Sequence, residues 1–230
     1  MEMPGPKTLR RLLASPVMRR ATLALVLILA MAGKAGADFT QSGPDIFNTL
    51  TIRSENLVPF PKWRGALERY FSESRVPRAP CSSGMFTRCP VDDWKAFLNS
   101  MAGRSPAEKL REVNYFHNRT RYILDIVNWQ VDDYWASPFQ FFDKDGDCED
   151  YAIAKFMSLR ALGFSNSQMR IVVLRDLNLR VAHAVLVVEL NGEKYILDNQ
   201  IRDVVPASLI RHYQPIYSIN ETHWWLHRRA

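Results

Sequence analysis

Three side chains in the second half of the chain have the types that nucleophilic catalysis needs: the thiol of Cys148, the imidazole of His183 and the carboxylate of Asp198. A thiol is a weak nucleophile until it loses its proton. It therefore needs a base beside it and a third group to orient that base. Cys148 follows Gly146-Asp147 and opens a run of helix formers that reaches Leu162 and is closed by Gly163. A helix N-terminus offers unpaired N–H groups and partial positive charge, which favour a thiolate. By position alone, Cys148 reads equally well as a small buried residue or an ordinary free thiol.

The spacing of the other two residues adds geometry. His183 lies in the apolar run Ala182 to Leu190, and Asp198 ends the run Glu193 to Asp198. Between the runs, Asn191-Gly192 is a two-residue hairpin signal. With the turn centred there, Val185 faces Asp198 and His183 faces Gln200. His183 and Val185 share a face, so His183 and Asp198 fall on a diagonal of that face, about 7–8 Å apart at the backbone. Asp198 can then accept from one ring nitrogen and leave the other for a thiol. A slip of one residue would put the pair on opposite faces. Singly, His183 also reads as a satisfied strand histidine, and Asp198 as a strand-end turn former. Jointly, the three supply a nucleophile, a base and an orienter. His117, His212, His223 and His227 have no comparable setting.

Acidic residues crowd the same place. Asp143, Asp145, Asp147, Glu149 and Asp150 surround Cys148 in sequence, and bare carboxylates oppose a thiolate by like-charge repulsion. A hard cation would relieve that conflict, and carboxylate oxygens without an added Cys or His ligand favour Ca²⁺. Asp143-x-Asp145-x-Asp147 starts like an EF-hand loop. It then fails, with Cys148 where the loop glycine belongs and Ala154 where the closing Glu belongs. By spacing alone, a solvated acidic turn at a helix N-terminus is the plainer reading.

The elements that must position these groups are legible in outline. Pro61 to Ser74 places Trp63, Leu67 and Phe71 on one stripe, and Asp92 to Met101 does so with Trp94, Phe97, Leu98 and Met101. Ser105-Pro106-Ala107-Glu108 is a capping box with Pro at the first helical position, starting a helix that runs toward Tyr122. Ser137 to Lys144 reads as a connection of about one helical turn. After the helix that begins at Cys148, Arg170 to Leu174 and the two hairpin runs read as strands. Helices, then a central helix, then an antiparallel sheet make an α+β domain. With 230 residues and 47% hydrophobic content, the chain suits one domain with a sizeable core.

Residues 1–37 read as a secretory signal peptide, leaving 38–230 as the domain. Lys7, Arg10, Arg11, Arg19 and Arg20 precede an apolar stretch from Ala21 to Gly33, and Ala35-Gly36-Ala37 is a small-x-small cleavage pattern. The apolar stretch is short against the ~20 residues of a membrane span, although an uncleaved anchor is the alternative. Arg19-Arg20 lacks the rest of a twin-arginine pattern, which points to the general secretion route. The net charge of +6 resides mainly in this segment, and 38–230 carries 24 basic against 23 acidic residues. That balance is no footprint for nucleic acid. Three cysteines in an exported chain suggest one disulfide, Cys81 with Cys89, and one free thiol, Cys148; the alternative is three free thiols. No Cys-x-x-Cys or paired-His spacing accompanies them, which argues against zinc.

Several stretches together resemble a known family. They are Gly146-Asp147-Cys148-Glu149-Asp150-Tyr151-Ala152-Ile153-Ala154-Lys155, Val172 to Asp176, His183-Ala184-Val185-Leu186, Leu197-Asp198-Asn199-Gln200, Pro215 to Asn220 and Trp224-Trp225. They resemble the bacterial transglutaminase-like cysteine proteinases, and within them the LapG-type periplasmic proteases. The resemblance extends from about Asn48 onward and is densest from Tyr122 to Leu226. It implies a papain-like fold of the transglutaminase-like branch, with Cys148 as nucleophile, His183 as base and later acid, and Asp198 as orienter. It also implies Ca²⁺ beside the nucleophile, on Asp147, Glu149 and Asp150, with Asp145 a further candidate. The expected substrate is a large surface adhesin, cut in its N-terminal region at a small-residue site, which disperses biofilm. The expected inhibitor is the periplasmic domain of an inner-membrane cyclic di-GMP receptor. The Cys81–Cys89 bridge lies outside this pattern.

The same three residues also serve acyl transfer to an amine, as in a transglutaminase, or hydrolysis of a cell-wall amide. A non-catalytic module that holds a protein in its cleft is the reading from another class. The signal reading has its own test: N-terminal sequencing of the exported protein should begin at Asp38, and a chain that keeps Met1 to Ala37 and stays with membranes would replace the signal with an anchor.

Overall fold

Proline and small polar caps decide where the helices begin. The computed structural model describes residues 40–42, 45–79, 81 and 89–229. Among the described residues, two strands come first, β1 (Thr40–Ser42) and β2 (Thr49–Ser54). Six helices follow: α1 (Pro61–Arg75), α2 (Pro90–Ser100), α3 (Pro106–His117), α4 (Asp125–Asn128), α5 (Pro138–Lys144) and α6 (Cys148–Ala161). Pro opens α1, α2, α3 and α5, where its missing N–H leaves no helical bond unmade. Ser105 with Glu108, and Ser137 with Gln140, form capping boxes at α3 and α5.

Two helices differ from the sequence reading. Ser137 to Lys144 is not a single turn: α5 has seven residues, and its Ser-Pro-x-Gln start is a capping box the sequence already carried. α3 ends at His117 rather than near Tyr122. Asn118 caps the helix end, and its side-chain amide donates to the Asp198 carbonyl at 2.8 Å. Tyr122 then pairs with Gly146 in a parallel bridge.

The remaining strands are β3 (Met169–Asp176), β4 (Val181–Leu190), β5 (Glu193–Leu197), β6 (Val205–Pro206), β7 (Tyr213–Ile219) and β8 (Trp224–Arg229). Among the described residues, one sheet runs in the order β1-β2-β8-β7-β3-β4-β5-β6. Each neighbouring pair is antiparallel. Asn191 and Gly192 both take positive φ, 55° and 80°, as a type I′ hairpin turn requires. β4 and β5 pair in the expected register, from Leu190 with Glu193 to Leu186 with Leu197.

β2, β7 and β8 were not read from residue pattern. Pro215 sits inside β7, and its neighbourhood carries a bulge where the β3 register shifts between Val173 and Leu174. A proline is tolerated in a sheet interior at such a bulge, and the bulge breaks the alternation that marks a strand. His227 on β8 bonds Thr49 Oγ1 at 2.7 Å and Ser218 Oγ at 2.9 Å, so it is a structural residue tying three strands.

α6 is buried along nearly its whole length, from Glu149 to Leu159. A helix apolar on all sides belongs inside a core rather than on a surface. Ile153, Phe156 and Leu159 pack with Leu186 and Val188 of the sheet and with Trp63 of α1. On the other side, Trp94, Phe139, Phe141 and Phe142 form an aromatic cluster between α2, α5 and α6. His117, also buried, bonds the Val113 carbonyl and Ser158 Oγ, and burial with the Lys155 charge pushes it down to about 3. Disulfide pairing of Cys81 with Cys89 ties the chain just ahead of α2, and Cys148 is free.

A buried amine also lies in this core. Lys155 on α6 is 0% exposed, and its Nζ has no hydrogen-bond partner among the described residues. Burial lowers the ammonium to about 7, with the Asp198 charge acting the other way. Burial of that charge destabilises the fold fully below pH about 7, where lysine is protonated folded and unfolded. The penalty fades as pH rises toward lysine's ordinary 10.5, because the folded protein has already shed the proton. Lys155→Met should therefore raise the unfolding free energy by ~1–4 kcal/mol at acid pH, and less at alkaline pH. Urea denaturation across pH checks this, and a gain that grows with pH would contradict it.

Candidate active site

The nucleophile candidate is fixed by a tight connection between two helices. Asp145 closes α5 with φ 64°, a left-handed conformation that turns the chain sharply into Gly146. A Cβ on Gly146 would lie 2.3 Å from Asp150 Oδ2, so only glycine fits between the turn and the first turn of α6. Asp147 is the N-cap and Cys148 the first helical residue. The segment after α3 braces this junction: the Ile123 N–H donates to the Gly146 carbonyl at 2.9 Å, and Tyr151 Oη donates to the Thr120 carbonyl at 2.6 Å.

The hairpin delivers the other two groups. His183 Nε2 lies 2.9 Å from Asp198 Oδ1, and both side chains are buried. This is the diagonal contact implied by the Asn191-Gly192 register. Bonding at Nε2 leaves Nδ1 as the ring nitrogen for a thiol. The backbone N–H of Ala184, next in chain to His183, faces the Cys148 sulfur. The fold thus brings the start of α6 against the stretch of β4 that carries the histidine. Asp198 is held further by the Gln200 N–H on Oδ1 at 2.9 Å and by the Tyr213 hydroxyl on Oδ2 at 2.6 Å. Burial alone would raise the Asp198 carboxyl, but the His183 and Tyr213 bonds hold it below its ordinary value.

The thiol itself is held back. Burial pushes the Cys148 thiol far above its ordinary value, and the Glu149 carboxylate adds to that by charge and by hydrogen bond. Cys148 Sγ donates to Glu149 Oε2 at 3.2 Å. Asp147 contributes a smaller repulsion, and the Ala184 N–H acts in the opposite direction.

Of the acids that the resemblance implies, Asp147 and Asp150 share a group with Asp125, and Glu149 shares one with Asp125 and Asp133. Ligand atoms of Asp125, Asp147 and Asp150, and of Asp125, Asp133 and Glu149, lie within 4.8 Å of one another in each group. Asp145 stands apart: its Oδ1 accepts from the Arg121 N–H at 3.4 Å, and Oδ2 lies 4.0 Å from Arg121 Nε. Asp143 pairs with Arg78 on the surface. Nothing local in the sequence links Asp125 or Asp133 to Asp147, and only the path of the chain through α4 brings them in.

The donor set fits a hard cation. Asp125 Oδ1 and Asp147 Oδ1 are buried and lack a hydrogen-bond partner among the described residues. Burial raises Asp125 to about 6 and Glu149 to about 10, with neighbouring carboxylates adding to the rise in each. Asp147 and Asp150 are raised as well, first by burial. Buried carboxylates that crowd each other and carry spare lone pairs are what Ca²⁺ binds with several oxygens at once.

Residues 85–227 match the family model of the bacterial transglutaminase-like cysteine proteinases. Among solved structures, the chain is similar to calcium-bound LapG of Legionella pneumophila, with 31% identity, 70% of this chain and 87% of that chain covered, and a TM-score of 0.56. For the EGTA-treated form of Legionella pneumophila LapG, identity is 35%, with 59% of this chain and 75% of that chain covered and a TM-score of 0.54. A search of curated proteins gives no match.

The acid cluster sets an expected stability profile. Asp125 and Glu149 keep protons in the folded protein above their ordinary 3.8 and 4.5, so their contribution is full below those values. It is lost as pH rises through about 6 for Asp125 and toward about 10 for Glu149. In chelator, the melting temperature should fall from about pH 5 to about pH 8. Ca²⁺ should raise it, most at the higher pH, and Asp125→Asn should shrink that rise. Scanning calorimetry reads all three, and a Ca²⁺ effect equal at both pH values would contradict the carboxylate account.

Proposed function

The chain belongs to the bacterial transglutaminase-like cysteine proteinase family, and on that premise we propose that it is a calcium-dependent cysteine endopeptidase with Cys148, His183 and Asp198 as its catalytic triad. The observation that carries the assignment of roles is the buried His183 Nε2–Asp198 Oδ1 bond, set beside a thiol at a helix N-terminus.

The chemistry follows from those positions. His183 Nδ1 takes the proton of Cys148 Sγ, and the helix N-terminus stabilises the thiolate. The sulfur attacks the scissile carbonyl, and the carbonyl π electrons move to oxygen. As the tetrahedral adduct collapses, the C–N bond breaks and His183 gives its proton to the departing amine. Water, deprotonated by His183, then attacks the thioacyl-enzyme, releasing the acid and restoring the thiol. Asp198 keeps the imidazole oriented and stabilises its charged form, as buried and bonded carboxylates do in triads. When bound by Asp147, Glu149, Asp150, Asp125 and Asp133, Ca²⁺ supplies positive charge that lets these acids ionise without raising the thiol.

LapG-type relatives guide the biological reading. The substrate is the N-terminal region of a large surface adhesin, and its cleavage releases the adhesin and promotes biofilm dispersal. The enzyme works in the periplasm, which the signal-like segment and the Cys81–Cys89 disulfide support. The periplasmic domain of an inner-membrane cyclic di-GMP receptor acts as its inhibitor.

Incubation with an adhesin N-terminal fragment tests this reading. New termini should appear with Ca²⁺, disappear with chelator, and return with Ca²⁺ but not Mg²⁺. Cys148→Ala should abolish cleavage while leaving the melting temperature within a few degrees. Retained cleavage in that variant would overturn the nucleophile assignment. Incorporation of an amine in place of cleavage would move the reaction to acyl transfer.

A further inference from the structure

The side of the triad away from Cys148 holds a group that the catalytic scheme has not used. Asp198 has two carboxylate oxygens in a buried setting. Oδ1 is shared by His183 Nε2 and the Gln200 N–H, both at 2.9 Å. Oδ2 accepts from Tyr213 Oη at 2.6 Å, a bond between two buried side chains. Tyr213 opens β7, two strands away from β4, with β3 between them. Its ring packs edge-on against Phe47 at 5.9 Å and meets His183 at 5.9 Å with an interplanar angle of 64°. One side chain therefore bonds the free oxygen of the orienting carboxylate and also packs against the imidazole.

We infer that Tyr213 is a positioning residue of the catalytic site, fixing the Asp198 carboxylate so that its other oxygen holds His183 with Nδ1 toward Cys148. This inference rests on the triad reading proposed above. A carboxylate held through one oxygen only can swing about its Cβ–Cγ bond, and the imidazole would swing with it. A phenol on the second oxygen removes that freedom. The hydroxyl also favours the ionised carboxylate, because a donor stabilises the charged form and leaves the protonated form less to gain.

The charged and titratable groups facing Asp198 come from three elements. His183 approaches from β4, Tyr213 from β7, and the buried Lys155 from α6. Asn118 reaches the Asp198 backbone carbonyl rather than its carboxylate. Tyr213 is the neutral donor among these, so its hydroxyl can be removed without changing the charge of the site. The ring sits in the cluster formed by Ile46, Leu174, Val185 and Ile196, which a phenylalanine would still fill.

The test is the pH–rate profile of Cys148 alkylation by iodoacetamide in the calcium-loaded enzyme, with no peptide substrate needed. In Tyr213→Phe, Asp198 should keep its proton to higher pH, so the acid limb of the profile moves to higher pH. On that limb the rate should fall about three- to tenfold. The melting temperature is recorded alongside, and Phe47→Ala, which loosens the packing of the Tyr213 ring but keeps its hydroxyl, should lower the melting temperature without moving the limb. In an Asp198→Asn background, Tyr213→Phe should have no further effect, since the carboxylate through which it acts is gone. A Tyr213→Phe profile that overlays the wild type, or an equal loss in both backgrounds, would overturn the inference. The triad reading fails differently: there, His183→Ala and Asp198→Asn would themselves alkylate like the wild type. Slowed alkylation in those two with a wild-type Tyr213→Phe profile would overturn the role of Tyr213 alone.

Discussion

Like charges buried beside a thiol are the constraint on which the rest of this structure depends. Asp147, Glu149 and Asp150 sit in the first turn of α6, and Asp125 is folded against them. Each carboxylate is harder to ionise because of its burial and its neighbours, and Glu149 and Asp147 oppose loss of the Cys148 proton. Such a cluster opposes itself at neutral pH unless positive charge is added. The helix N-terminus contributes about half a charge, which is too little for four carboxylates and a thiolate. A divalent cation on the same oxygens would resolve both problems, which is why the proposed chemistry includes Ca²⁺.

The fold supplies the means of holding that arrangement. α6 is packed on nearly all sides, so its N-terminus cannot shift without disturbing the core. Gly146 lets the preceding turn press against Asp150. The segment around Tyr122 and Ile123 is bonded to Gly146 on one side and leads into Asp125 on the other. The sheet presents His183 and Asp198 in a register set by the Asn191-Gly192 turn, while β7 brings Tyr213 to the far oxygen of Asp198. The thiol with its flanking acids, the Asp125 segment and the imidazole thus come from separate parts of the chain that meet at one end of α6.

The contact between His183 and Asp198 was legible because its information is local. A helix start marks Cys148, and a two-residue turn fixes which residues of the flanking strands share a face. The bond from His183 to Asp198 follows from counting outward from Asn191-Gly192. The rest of the site is not local. Asp125 and Asp133 carry no pattern tying them to Asp147, and Asp145, which spacing placed among the acids, turns toward Arg121 instead. Strand β7 escaped residue-pattern reading because Pro215 and its bulge interrupt alternation. Tyr213, at the start of β7, escaped with it. A contact between the beginning of one unread strand and the end of a read one has no sequence signature.

In the proposed mechanism, the cation, the imidazole and the helix all act on the Cys148 thiolate. Ultraviolet titration of the thiolate, with the Cys148→Ala protein as the blank, measures it directly. With saturating Ca²⁺, Cys148 should ionise at or below neutral pH. In chelator it should stay protonated well into the alkaline range. A titration curve unchanged by Ca²⁺ would contradict the claim that the acid cluster controls the nucleophile.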